Sequence, residues 1–326
     1  GGSSHSPIDY AIIVEELSAV DPGIGLCIYS AGFGADTILA FGTDEQKEKY
    51  LPLITSGKSV MGSAISESGA GSDVTSISTL AEEDGDDWVL NGRKMWITNG
   101  TVGDFFVVMC KTDPDDTNRY SGFSQILVEK GTAGFSAEKI TGKLGIRASD
   151  TAELIFDNAR VPKENLVGTR GAGFLQLMQF FDESRTMVSA QAVGIAQGAC
   201  EQSLAYAKER NQFGRPISDF QAIQHKLADM YTLTEAARNL TFKSAWIATH
   251  EKNRLTALAS MAKEYSSRIA VQVTSEAIQV HGGAGYVDDF GVSKLYRDAK
   301  ITQIYEGTSE IQKNIIAREL LGKGFI

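Results

Sequence analysis

The hydrophobic period of this 326-residue chain changes twice, from helical to strand-like after Lys58 and back to helical from Gly171, which few architectures accommodate. The pattern predicts an α+β fold with a helical N-terminal domain over residues 1–57, a middle antiparallel β-barrel or sandwich domain over 58–166 and a C-terminal four-helix bundle over 167–326. In the first region, residues 8–19 read as a helix with Ile12, Ile13 and Leu17 on its apolar face and a stop at Asp21-Pro22-Gly23. A second helix is expected over 26–41, and a third from Thr43, with Lys47, Glu48 and Lys49 facing water and Pro52 and Gly57 closing the region. Strands are expected at 59–65, 105–110 and 126–128. The clearest hairpin joins Trp88-Val89-Leu90 to residues 94–98 through Asn91-Gly92, because that pair accepts the positive φ of a tight turn. The helical bundle is broken at Gly214-Arg215-Pro216, near Asn253 and at His281-Gly282-Gly283-Ala284-Gly285.

Composition narrows the function classes. With 31 Lys and Arg against 41 Asp and Glu, the net charge of −10 argues against nucleic acid as the main partner. The three cysteines, Cys27, Cys110 and Cys200, lie far apart, so neither a disulfide framework nor a cysteine zinc site is implied and a reducing compartment fits best. His5, His225, His250 and His281 show no ligand spacing, so no metal site is expected. No apolar run approaches the roughly 20 residues of a membrane span and no signal peptide is visible, so a soluble globular chain without a membrane partner is expected.

The stretch Tyr305-Glu306-Gly307-Thr308-Ser309-Glu310-Ile311-Gln312 puts one carboxylate in a glycine-containing break between two helical patterns. Residues 294–301 read as the upstream helix. Downstream, Thr308 is the expected N-cap, Ile311, Ile315, Ala317 and Leu320 the buried face, and Gly322 the C-cap. Gly307 permits backbone angles other residues resist, so Glu306 can leave the helical path and be aimed into a pocket as a base. A glutamate before Gly-Thr can also simply favour a helix N-terminus through the macrodipole.

The octapeptide resembles the acyl-CoA dehydrogenase family, in which a Tyr-Glu-Gly-Thr turn supplies the base that removes the α proton of an acyl-CoA thioester. Five further stretches match in family order. Residues 66–73, Ser-Glu-Ser-Gly-Ala-Gly-Ser-Asp, read by composition alone as an ordinary surface turn. The resemblance implies instead that Ile65 and Ser66 touch a flavin ring and that Ser72 binds the pantetheine-phosphate arm of CoA; Ser68 stands where Pro is common. Trp96-Ile97-Thr98 matches the segment against the flavin, with Thr98 near N5 and Trp96 shielding the ring, although a Trp filling the barrel core would give the same pattern. Phe181-Asp182-Glu183-Ser184-Arg185 matches the segment facing CoA, with Arg185 and Asp182 on the nucleotide part. Part of the family carries its base at the residue before that Arg, here Ser184, which cannot take a proton in this role. Glu183 is about 100 degrees round the helix and points elsewhere. Arg210-Asn211-Gln212-Phe213-Gly214-Arg215-Pro216, and Gln279 with Gly282 and Gly283, match elements that reach the flavin pyrophosphate of a neighbouring subunit. A charged helix end and a glycine C-cap are their ordinary readings. Thr308 and Glu310 would lie by the adenine side.

The resemblance implies an FAD-dependent acyl-CoA dehydrogenase with Glu306 as base and a trans-2-enoyl-CoA product. Hydrogen bonds from the Glu306 N–H and a ribityl hydroxyl would steady the enolate-like charge on the thioester. Tyr305 and Gly307 would flank the substrate, and Tyr29, at the pocket floor, would restrict it to a short, branched or cyclic acyl group. It also implies electron-transfer flavoprotein as acceptor, a homotetramer built as a dimer of dimers, and a bacterial cytoplasmic or mitochondrial-matrix location. Relatives carry several more helices before the point where this sequence starts, which bears on how the substrate cavity is closed. The alternatives are an acyl-CoA oxidase, or a catalytically silent scaffold, whose signature would be a lost base or flavin motif.

Overall fold

The structure, a computed structural model, describes residues 2, 6–251 and 255–322. The described chain divides into two compact units, one of residues 27–143 and 148–180 and the other of residues 6–26, 144–147 and 181–322. The expected break near Asn253 lies outside the described residues.

The first unit holds the sheet. Its strands are β1 (Met61–Ala64), β2 (Leu80–Asp84), β3 (Asp87–Thr98), β4 (Phe105–Lys111), β5 (Phe123–Glu129), β6 (Phe135–Lys139), β7 (Thr151–Pro162) and β8 (Leu166–Val167). They run in the order β6-β7-β3-β2-β4-β5-β8, with β1 added beside β4. Pairing is antiparallel except where β1 and the start of β2 meet β4 in parallel. Successive residues of β4 serve opposite faces. Phe106, Val108 and Cys110 join a core with Trp88, Leu90 and Leu154, while Phe105 and Val107 join Ile38, Tyr50 and Leu127. That is why its apolar run is continuous rather than alternating.

The expected Asn91-Gly92 hairpin is absent. β3 runs through both residues, and the reversal lies at Gly85, φ +63°, between β2 and β3. Gly92, φ +147°, marks a register shift between Leu90 and Gly92 against β7. A Cβ there would stand 2.6 Å from Thr79 Oγ1, so the glycine serves a close approach rather than a turn.

The N-terminal helices also differ from expectation in detail. α1 (Pro7–Val20) begins with a capping box between Ser6 and Asp9, and Pro22 opens α2 (Pro22–Tyr29) directly after Asp21 instead of a loop. The buried stripe of α1 is Ala11, Val14, Glu15 and Ser18, whereas Ile12 and Ile13 are 44% and 40% exposed. The cause is backbone proximity: a Cβ on Gly194 would lie 2.2 Å from the Glu15 carbonyl and one on Gly198 2.3 Å from that of Ala19, so only small side chains fit between these helices.

The single helix expected over 26–41 is two, α2 and α3 (Ala35–Phe41), because the intervening chain turns aside to pair Ala31 and Gly32 with Met61. α4 (Asp44–Thr55) starts at the Thr43–Gln46 capping box, holds Pro52 inside rather than ending there, and closes at Gly57, φ +69°.

In the second unit the long helices are α5 (Gly173–Glu209), α6 (Gln221–His250) and α7 (Leu255–His281), with the shorter α8 (Val292–Ala299) and α9 (Ser309–Leu320). α5 and α6 are linked through a two-stranded ribbon, β9 (Asn211–Gln212) and β10 (Arg215–Pro216). Their shared core is rich in Ala, Val and Ile, including Ala192, Val193, Ile195, Ala270 and Val273. The buried face of α9 stops after two turns: Gln312 and Ile315 are buried, Ala317 is exposed and Leu320 is 72% exposed, unlike the longer stripe the sequence suggests.

Candidate active site

A non-glycine residue in the left-handed region marks the break before α9. After α8 the chain makes a short 3-10 turn over Lys300–Gln303, and then Glu306 takes φ +54° and Gly307 φ +88° before Thr308 caps α9 by accepting from Ile311 N. Such a conformation costs a non-glycine residue about 1–2 kcal/mol and persists only where the surroundings over-determine it. They do so here through buried side chains. Gln312 Nε2 donates to the carbonyls of Glu306 and Gly307 at 3.0 and 2.9 Å, and Lys263 Nζ, on α7, donates to the Gly307 carbonyl at 2.7 Å. Tyr305 donates its hydroxyl to Gln191 Oε1 on α5.

Among the described residues the Glu306 carboxyl receives one direct hydrogen bond, from Ser184 Oγ to Oε2 at 2.6 Å. Arg185, 3% exposed, lies beside it, paired with Asp182 Oδ1 at 2.8 Å, and Asp182 Oδ2 accepts from Thr256 Oγ1 at 2.7 Å. Burial pushes the Glu306 pKa above the ordinary carboxylate range, against the downward pull of the Ser184 hydrogen bond and of the Arg185 and Lys263 charges. Burial likewise pushes Lys263 down to about 8, with the Glu306 charge opposing that shift. A half-buried carboxyl with a raised pKa, held by one hydroxyl, can act chemically as a proton acceptor.

Sequence reasoning passed over part of this cluster. Ser184 cannot act as a base, yet it is the group that touches the Glu306 carboxyl. Lys263 was not singled out, although its position within the apolar series Leu258, Ala259, Ala262, Ser266, Ile269 and Ala270 of α7 is the available signal of a charge turned inward. Glu183, by contrast, is exposed, as its place round the helix predicts.

The sheet unit brings Ile65, Ser66, Trp96, Ile97 and Thr98 together. β3 loses register with β7 between Lys94 and Ile97, and Met95 N donates instead to the Ser66 carbonyl at 2.8 Å. Trp96, within that bulge, takes φ +66° and leaves its residue surface 62% exposed, while Ile97 is buried. The indole therefore does not fill the core. A strained, uncovered aromatic beside the half-buried Ile65 and Ser66 fits the planar ring of a flavin. Ser72 is exposed on the loop after β1, and Tyr29 is half-buried at the end of α2.

Arg210 lies just before β9 and Phe213 in the turn between β9 and β10; Arg210 is exposed, and Phe213, φ +55°, is 93% exposed. Gln279, Gly282 and Gly283 are exposed at the end of α7, Thr308 is half-buried and Glu310 is exposed. The hydrogen bonds described around the Glu306 turn do not include the ribbon or the end of α7. Among the described residues no group of His, Cys, Asp and Glu is arranged to hold a metal ion, and no helix is long and apolar enough to cross a membrane.

Comparison with known proteins bears on both halves of this arrangement. The chain matches the acyl-CoA dehydrogenase N-terminal domain over residues 1–58, the middle domain over 62–159 and the C-terminal domain over 171–321. It is 43% identical over 323 residues to an acyl-CoA dehydrogenase of Bacillus subtilis, covering 99% of this chain and 84% of that one. Among solved structures, butyryl-CoA dehydrogenase from Megasphaera elsdenii superposes with a TM-score of 0.90 at 41% identity, covering 94% of this chain and 80% of that one. A chain from a structure of the electron transferring flavoprotein of Acidaminococcus fermentans superposes with a TM-score of 0.95 at 44% identity, covering 98% and 84%.

Proposed function

Because the chain belongs to the acyl-CoA dehydrogenase family, and so is an FAD-dependent oxidoreductase acting on the CH–CH group of an acyl-CoA, we propose that Glu306 is the base of its reaction. The observation that carries this reading is the left-handed Glu306, held by Gln312 and Lys263, whose half-buried carboxyl keeps a single hydroxyl donor. The carboxylate accepts the α proton, and FAD when bound supplies the acceptor for the β hydride. The Glu306 N–H, taken off the helical ladder by its φ, is the donor we assign to the thioester oxygen, where it steadies the enolate-like charge. Arg185 and Lys263 contribute positive charge that favours the ionised base. Ile65, Ser66, Trp96, Ile97 and Thr98 would hold the flavin ring, and Arg210, Phe213, Gln279, Gly282, Gly283, Thr308 and Glu310 its nucleotide portion, partly from a neighbouring subunit of a homotetramer. Ser72, Asp182, Arg185, Tyr305 and Gly307 serve the acyl-CoA.

We assign a short, branched or cyclic acyl group. The likeness to a butyryl-CoA dehydrogenase supports this reading. The likeness to a chain in an electron transferring flavoprotein structure supports such a flavoprotein as electron acceptor. The presence of Glu306, Trp96 and Thr98 favours an active enzyme over a silent scaffold. Glu306→Gln tests the assignment. It is expected to retain FAD, seen as the yellow flavin absorbance, and to lose turnover with butyryl-CoA and an artificial acceptor by more than the roughly 10²–10⁴ typical of general-base assistance. Near-normal turnover would remove Glu306 from the mechanism. Efficient turnover of palmitoyl-CoA in the unaltered enzyme would overturn the short-chain assignment.

A further inference from the structure

The loop that follows β1 carries a buried glutamate. Glu67 is 8% exposed and its carboxylate receives five hydrogen bonds: Ser78 N and Oγ on Oε2, and Thr79 N, Thr79 Oγ1 and Lys94 Nζ on Oε1. Lys94, on β3, is completely buried, and its Nζ also donates to the Ile65 carbonyl at 2.9 Å. Burial pushes Glu67 up, but the Lys94 charge and the hydrogen bonds from Thr79 and Ser78 prevail and bring it down to about 2. A buried ion pair is weak evidence for stability, since well-packed apolar residues often do as well. Its cost invites a question about what it positions.

The answer lies in which backbone groups it touches. Ile65 and Ser66 belong to one segment and Trp96 to another, about thirty residues on. Lys94 is the last β3 residue in register with β7 before the bulge that carries Trp96. Its ammonium grips the Ile65 carbonyl, Met95 N grips the Ser66 carbonyl, and Glu67 closes its own loop by pairing with Ala70 in both directions. Two adjacent residues of β3 are thus bonded to two adjacent residues of the loop, and the ammonium is locked in place by the carboxylate of the next residue along.

We propose that the Lys94–Glu67 pair is a positioning device that fixes the Ile65-Ser66 segment and the Trp96 bulge in a single arrangement for the flavin ring. The proposal rests on the flavin reading of these residues given above. Neither side chain need touch the cofactor; both act through the backbone of residues that would.

The test uses the holoenzyme and the variant Lys94→Met, in which Glu67 keeps its four donors from Ser78 and Thr79. Hydrogen exchange by mass spectrometry is expected to speed at least tenfold at residues 65–71 and 95–97, and FAD affinity, read from flavin fluorescence, to weaken at least tenfold. A variant in the same sheet core, Ile126→Ala, serves as the control, with urea added to Lys94→Met or to the control until their stabilities match. If Lys94→Met does not fold, Glu67→Gln/Lys94→Met, which orphans no charge, replaces it. Exchange and affinity within twofold of the unaltered protein, or the same changes in the matched control, overturn the proposal. An unaltered protein that takes up no FAD defeats the flavin reading instead, and the exchange measurement still decides whether the pair pins the two segments.

Discussion

Glu67 is a buried glutamate and Glu306 a half-buried one, each with a buried lysine nearby, and the protein treats them in opposite ways. Glu67 is saturated: two backbone N–H groups, two hydroxyls and an ammonium occupy its oxygens, and its pKa falls to about 2. Glu306 has one hydroxyl donor, its nearby lysine is spent on the Gly307 carbonyl rather than on the carboxylate, and burial raises its pKa. A carboxylate given every donor it can accept is fixed in place and no longer basic. One that is half-buried and less bonded keeps its affinity for a proton, as the base we propose must.

The sharpest way to break this contrast is to neutralise each in turn. Glu67→Gln leaves Lys94 buried without its counter-charge and should cost about 3–5 kcal/mol in urea unfolding, the range for breaking a buried pair from one side. Glu306→Gln removes a desolvated acid and should change stability by less than about 1 kcal/mol. Equal losses would mean that the two sites are energetically alike.

The pH dependence of stability sharpens the comparison, because the two groups carry opposite signs. Glu67 has a folded pKa of about 2 against its usual 4.5, so its stabilisation is complete above about 4.5 and is lost as the pH falls towards 2. The loss is on the order of 3 kcal/mol. Glu306 is raised, so any stabilisation from its protonated form is present at low pH and disappears as the pH rises through its folded pKa. Urea midpoints between pH 2 and 5 in the unaltered protein and in Glu67→Gln should converge at the acid end.

A smaller effect is expected at the turn itself. Gly307→Ala places a Cβ at φ +88°, 2.6 Å from Gln312 Nε2, and should cost about 1–2 kcal/mol in Tm-derived stability while displacing the Glu306 carbonyl's donor. Ser184→Ala should have the least effect on stability. It removes the hydrogen bond that lowers the Glu306 pKa, so the acidic limb of the kcat/KM profile should move to higher pH with the plateau retained. An unmoved limb would show that Ser184 does not tune the base.

How far the chain could be read from its residues depended on what each signal physically specifies. The helix-break before Thr308 was legible because a cap and a positive-φ glycine are local properties, and the turn is where it was expected. Asn91-Gly92 signalled positive φ correctly but not its use, since a bulge needs it as much as a hairpin does. The apolar face of α1 was misjudged because backbone proximity at Gly194 and Gly198 selects small residues over the bulkiest ones. Lys94 was not legible, and Lys263 only as a charge within a buried helix face, because a lysine's burial depends on acceptors supplied by distant strands and turns, here the Ile65 and Gly307 carbonyls. A Trp filling the core would give the same sequence pattern at Trp96, and its exposed, left-handed position excludes that reading.

The claim that Glu306 is the proton-removing group is tested most directly by following deuterium entry at the α carbon of butyryl-CoA in D₂O by NMR, which isolates proton transfer from electron transfer. The unaltered enzyme and Ser184→Ala are predicted to label the α position, and Glu306→Gln, with FAD still bound, to leave it unlabelled. Labelling by Glu306→Gln at a rate near that of the unaltered enzyme would contradict the assignment.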